Sequence, residues 1–202
     1  MTPDELAPRW PLPDHHDERD ALVSAYGDPV RGYHDLLHLT EVLDRIGELT
    51  AAGTLDDGPE VRLAAWFHDG VYDGQRGDED RSALWAEEAL ADTDHAVEVS
   101  RLVRLTEHHD PTDDDLPGQV LCDADLAILA APPERYDAYV TGVRRDYAYV
   151  SDTDFAVGRR AVLRDLASRG RLFHTSYARE HWEPAARANL ARELAGLTVT
   201  ER

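Results

Sequence analysis

The chain has 202 residues and a formal net charge of −20, set by 41 acidic against 21 basic side chains, every one of the latter arginine. That balance argues against nonspecific binding to nucleic acid and against docking on an anionic membrane. It leaves room for a small anionic substrate, because a bound cation inverts the local field.

The length fits one domain with a sizeable core. Cys122 is the single cysteine, which excludes an intrachain disulfide and a cysteine-based zinc site. No stretch reads as a leader or a membrane span, so the expected compartment is the cytoplasm.

Residues 1–17 read as an irregular N-terminal arm, given Pro3, Pro8, Pro11 and Pro13, with His15 and His16 solvated within it. Residues 18–202 then form the domain. Glu18 to Tyr26 predicts a short helix that Gly27-Asp28-Pro29 breaks. From about Tyr33 to Leu49 the residues Leu39, Val42, Leu43, Ile46 and Leu49 recur at helical spacing. His34 and His38 are four apart and share one face of that helix. His38 lies deeper in the periodic segment and is the better metal ligand; His34 then supports it or touches substrate.

After a polar turn at 51–59, Glu60 to Tyr72 predicts a helix with Leu63, Ala64, Trp66 and Phe67 apolar. It presents His68 and Asp69 side by side. Burying an imidazole next to a carboxylate is costly without a partner. A divalent ion satisfies both; a hydrogen-bonded pair capping the helix before Gly70 is the alternative. Asp73 follows Asp69 by four residues and faces the same way if the helix continues. Gly74 to Asp80 is a charged loop with an N-cap from Asp78 or Asp80, suited to a lid, to substrate contacts or to a solvated connector.

Arg81 to Ala91 predicts the next helix. Another starts at Asp94 and ends at Thr106-Glu107-His108-His109-Asp110-Pro111, where the proline fixes the end and the histidines complement the helix dipole. Gln119 to Ala131 is apolar except for Asp123 and Asp125. Its face with Leu121, Ile128 and Leu129 also carries Asp125, where an ionised carboxylate needs a metal or an arginine. Asp123 points elsewhere. Helices follow from Pro133 to about Val150, from an Asp154 cap to about Ser168, and from Glu183 to Leu197. No strand alternation or internal repeat stands out, so the fold class is all-α.

His38, His68-Asp69 and Asp125 fall in the order H…HD…D on separate helices. Around them stand Tyr33-His34-x-x-x-His38, Phe67-His68-Asp69-x-Val71-Tyr72-Asp73, Ser82-Ala83, Thr106-x-x-His109, Asp123-Ala124-Asp125-Leu126-x-Ile128-Leu129, Tyr147-Ala148 and Ala186-Arg187-x-Asn189-Leu190. This set resembles the HD superfamily of metal-dependent phosphohydrolases, in its bacterial branch described as predicted metal-dependent HD-superfamily phosphohydrolases. The resemblance covers nearly the full length. It departs at Asp78-Glu79-Asp80-Arg81-Ser82-Ala83, where the branch tends towards Asn-Glu-Glu-x-Ser-Ala.

The resemblance implies a single HD-domain helical bundle with metal on His38, His68, Asp69 and Asp125. N/O ligation admits Mn, Fe, Co, Ni, Zn or Mg, as one ion or two. Such an ion would lower the pKa of a bound water and polarise a phosphoryl oxygen. Asp73 is then a candidate to orient or deprotonate the water, and His109 to bind phosphate or a second metal bridged by Asp69. Arg31, Arg144 and Arg145 are candidates for clamping phosphate, or for surface ion pairs. The expected substrate is a small phosphate ester or nucleotide, and the expected assembly a monomer or homodimer. Two other readings stay open: a di-iron oxygenase using His34 and His109 as extra ligands, and a non-catalytic helical module that binds a nucleotide or metal.

Overall fold

The computed structural model describes residues 3–54 and 58–197, so part of the turn expected at 51–59 lies outside the described residues. Among these residues every regular element is helical and none is a strand. The helices are α1 (Pro3–Leu6), α2 (His16–Tyr26), α3 (Leu36–Ala51), α4 (Pro59–Phe67), α5 (Asp78–Ala89), α6 (Ala96–Leu105), α7 (Leu116–Leu126), α8 (Pro133–Asp146), α9 (Asp152–Ser168), α10 (Ser176–His181) and α11 (Glu183–Gly196). No helix is long and apolar enough to cross a membrane.

At the centre is α4, whose residues Leu63 to Phe67 have no exposed surface. A helix that is apolar all round is stable only when other helices cover every side. Here α3, α6 and α7 pack around it. The stripe of α3 read from the sequence, from Leu39 to Leu49, is buried against them.

The N-terminal segment is not an irregular arm. Two helical turns, α1 and a 3-10 turn at Ala7–Arg9, carry Leu6 and Trp10 into the core. The Trp10 ring meets Trp66 edge-on at 5.3 Å between centroids. Its Nε1 donates to Asp14 O at 2.8 Å, which satisfies the one polar atom that burial would strand. Prolines marked where this chain turns, and the isolated apolar residues between them supply the packing.

Of the element ends that differ from expectation, three shape the site. Asp35 accepts from the amides of Leu37 and His38, so α3 starts at Leu36. Tyr33 and His34 therefore lie before the cap, and His34 and His38 do not share a helix face. The helix α4 ends at Phe67 rather than running to Tyr72. Arg31 ends it from far away in sequence, donating to the carbonyls of Asp69 at 2.7 Å and Gly70 at 3.0 Å. Past Leu126, α7 tightens into a 3-10 turn at Ala127–Ala130.

Candidate metal centre

His38 leaves the first turn of α3, His68 caps the C-terminus of α4, Asp69 follows it, and Asp125 comes from the last turn of α7. The imidazole Nε2 atoms of His38 and His68 are 3.0 Å apart. Asp69 Oδ2 lies 3.2 Å from each of them. Asp125 Oδ1 lies 3.3 Å from His38 Nε2 and 3.7 Å from His68 Nε2. The two histidine side chains are 1% exposed. The sequence thus marked four polar groups on apolar ground; the fold sets His38, His68 and Asp125 within reach of one another and Asp69 against both imidazoles.

Hydrogen-bond bookkeeping limits how they satisfy one another. The Nδ1–H of His68 donates to Ala65 O at 2.8 Å, so a neutral His68 presents only a lone pair at Nε2. Two buried carboxylates and that lone pair all call for positive charge in the middle. Burial alone would push Asp69 and Asp125 up; the facing histidines outweigh it and hold both well below the usual carboxylate range. Burial disfavours a charged His68, yet Tyr26, Asp69 and Asp125 raise it well above the usual histidine range. Protons on the imidazoles, or a metal ion, meet that demand.

The donor set fits a divalent ion. Two imidazoles and two carboxylates offer N/O ligation and two negative charges. Ligand atoms on one ion with bonds of about 2.05 Å are separated by about 2.9 Å at right angles and about 3.4 Å in a tetrahedron. The observed 3.0 to 3.7 Å lies in that range and slightly above it. His38, His68 and Asp125 offer ligand atoms all within 4.8 Å of one another, with Asp69 against both histidines. The His38 Nδ1 is buried without a hydrogen-bond partner, so the protein ties down one imidazole of the pair and not the other.

A second layer fixes these groups. The Tyr26 hydroxyl accepts from Asp69 N at 3.1 Å and lies 3.4 Å from His68 Nδ1. His109 Nε2 sits 2.8 Å from the second oxygen of Asp125. The backbone of His109 is in the left-handed region, φ 51°, where its N–H returns to Leu105 O at 3.0 Å and closes α6. His34 is held by Asp146 at 2.8 Å and stacks on Tyr72 at 3.9 Å between centroids. Asp146 also accepts from the amides of Gly32 and Tyr33. Gly32 is required there, because a Cβ would lie 2.1 Å from the carbonyl oxygen of Gly142 in α8.

A cavity of about 850 Å³ adjoins the cluster, with His34, Asp69, His109 and Asp125 in its lining. A smaller cleft of about 340 Å³ also reaches His38 and Asp125, beside the Glu41–Arg135 pair.

Several expected site residues are elsewhere. Asp73 is half-exposed and pairs with Arg81 at 3.0 Å; with α4 ended at Phe67, it has no helical register with Asp69. Arg31 is buried and spends its guanidinium on the carbonyls of His34, Asp69 and Gly70. Arg144 is engaged with Asp152 and the carbonyls of Tyr147 and Val150, and Arg145 with Pro29 O. None of the three is placed as a phosphate clamp. Asp123 points away from the cluster and accepts from the amides of His174 and Thr175 at 2.7 and 2.8 Å.

The sequence reading passed over Glu79, which lines the cavity from the first turn of α5. Burial and then the nearby Asp69 raise it above the usual glutamate range. In the sequence it stands only within the charged loop Gly74 to Asp80, suited to a lid, substrate contacts or a connector, and within the stretch where the resemblance departs from its branch. Tyr26 was likewise read only as the end of a helix. Comparison of the chain with family models, curated proteins and solved structures gives no match.

Proposed function

We propose that the chain is a metal-dependent phosphohydrolase of the HD type, acting on a small phosphate ester. One observation carries the reading: two imidazoles and the Asp125 carboxylate converge within reach of one ion, with Asp69 against both imidazoles, beside an 850 Å³ cavity that Asp69 and Asp125 line. His38, His68, Asp69 and Asp125 would hold the ion. When bound, it would supply Lewis acidity and a water of lowered pKa.

The chain's own residues would do the rest. Glu79, which lines the cavity and is raised above the usual glutamate range by burial, would take up the proton of the attacking water. His109, anchored on Asp125, and His34, anchored on Asp146, are the nitrogen donors nearest the cluster that also line the cavity, and would orient the phosphoryl oxygens. Arg31 acts at one remove, fixing the carbonyls that flank Asp69.

The test is phosphate release from a panel of monoesters and nucleotides by metal-stripped protein reloaded in turn with Mn, Fe, Co, Ni, Zn and Mg. Release should appear with at least one metal and fall by more than about 100-fold in His68→Ala. No release with any metal, in a protein that binds those metals, would overturn the reading. Iron at two per chain with oxygen uptake would replace it with oxidative chemistry.

A further inference from the structure

The cavity has a large apolar lining besides the cluster. It includes one face of α9, from Phe155 through Val162 to Leu166, and the rings of Tyr139 and Tyr147. Val162 is 52% exposed although it faces this cavity, so its apolar surface has no protein partner. The two arginines on this wall are already engaged, Arg159 with Glu193 and Tyr139, Arg169 with Asp165. Asp154 and Glu107 add negative charge. The uncovered surface of this α9 face is apolar, and an apolar group fits it.

Gly158 lies in the interior of α9 and lines the same cavity. A glycine inside a helix is a poorer choice than alanine. Its φ is not in the left-handed region, and a Cβ built on it meets nothing within 4 Å. Neither backbone conformation nor packing calls for the glycine. The residue is exposed, and the cavity wall is open at this point.

We infer that this face of α9 seats the body of the substrate, and that the body is an aryl or heteroaryl group bearing a single phosphate. The inference rests on the hydrolase reading for the phosphate and on the cavity alone for the aryl group. Apolar area gives the preference its size, and the rings give it its shape.

Calorimetry with two non-hydrolysable probes tests it, 1-naphthylphosphonate and methylphosphonate, on protein loaded with the metal it retains best. The naphthyl probe should bind at least about tenfold tighter. In Gly158→Leu that ratio should fall to near one. Gly158→Ala should unfold at or above the wild-type temperature, by up to about 4 °C, and the same melt on Gly158→Leu shows whether that variant is folded. Equal affinities for the two probes, or a ratio unchanged in a folded Gly158→Leu, would overturn the inference. A naphthyl preference that depends on Gly158, in a protein that hydrolyses no ester, would leave the aryl seat standing and remove the hydrolase reading. Hydrolysis of methyl and naphthyl phosphate at equal kcat/KM would do the reverse.

Discussion

The inner end, around the His–Asp cluster, and the exposed rim, around Arg81 and Arg144, both carry many charges, but they hold them differently. At the inner end, groups far apart in sequence meet in buried ties: Arg31 reaches Asp69 and Gly70, and Asp146 reaches Gly32, Tyr33 and His34. At the rim, pairs are local and wet. Arg81 meets Asp73 and Asp78 with its own side chain 45% exposed, and Arg144 meets an Asp152 that is 94% exposed. Exposed pairs gain little, since water screens them and ordering two long side chains costs entropy. Buried donors and acceptors cost their full desolvation when a partner is lost. Ties of the first kind therefore define the site, and ties of the second kind decorate it.

Arg31→Met tests the strongest of these ties. It leaves the carbonyls of Asp69 and Gly70 without their donor beneath the rings of Tyr26 and Tyr72, over which the guanidinium now sits. Loss of charge-assisted hydrogen bonds of this kind costs about 3 kcal/mol. Thermal unfolding should drop by about 6–12 °C, and metal affinity by about 10- to 100-fold. Arg31→Lys should recover little, because an ammonium cannot reproduce the fork that spans two carbonyls. A melting temperature and metal affinity like the wild type's would mean that the end of α4 holds itself.

That tie also shows why the sequence was legible in some places and not in others. The apolar stripes of α3 and α4 announce their helices, because periodic burial is written locally. His38, His68, Asp69 and Asp125 stand out because each puts a polar group on such a stripe, and the fold brings them together. The end of α4 was not legible, because Arg31, 38 residues upstream of Asp69, sets it. The start of α3 could have been read from Asp35, a good cap, had the histidine spacing not invited a longer helix. Trp10 and Leu6 reach the core from a proline-rich segment with no period to betray them.

Asp146→Asn should have a smaller effect, and one that depends on pH. Burial raises this carboxyl, but its bonds to His34 and to the amides of Gly32 and Tyr33 outweigh that and lower it below the usual aspartate range. A lowered folded pKa means that the native state favours the carboxylate. The stabilisation is thus present above the ordinary aspartate pKa and is lost as pH falls through the folded one. The variant should be about 1–2 kcal/mol less stable near pH 7, where one acceptor has become a donor facing an amide. In denaturant titrations down the acid range, the gap between the two proteins should close as the wild-type carboxyl protonates. A gap that stays constant below pH 4 would show that the carboxyl's charge has no part in it.

The smallest effect belongs to the rim. Read from sequence, Asp73 stood one helical turn beyond Asp69, a natural residue to orient or deprotonate water. With α4 closed at Phe67, its carboxylate instead meets Arg81 and the amide of Gln75 at the surface. Burial raises it, and the bonds to Arg81, Asp78 and the amide of Gln75 together outweigh that and lower it below the usual aspartate range. Asp78 organises the same loop without it, accepting from the amides of Asp73, Gly74 and Gln75. Asp73→Asn should therefore change stability by less than about 0.5 kcal/mol. It should leave phosphate release within about twofold, whereas a residue that takes the proton from water costs about 100-fold or more when lost. Glu79→Gln belongs in the same assay, because the proposed reaction gives that proton to Glu79. If Asp73→Asn abolished release while Glu79→Gln spared it, the rim would be part of the catalytic end, and the line drawn between the two regions would have to move.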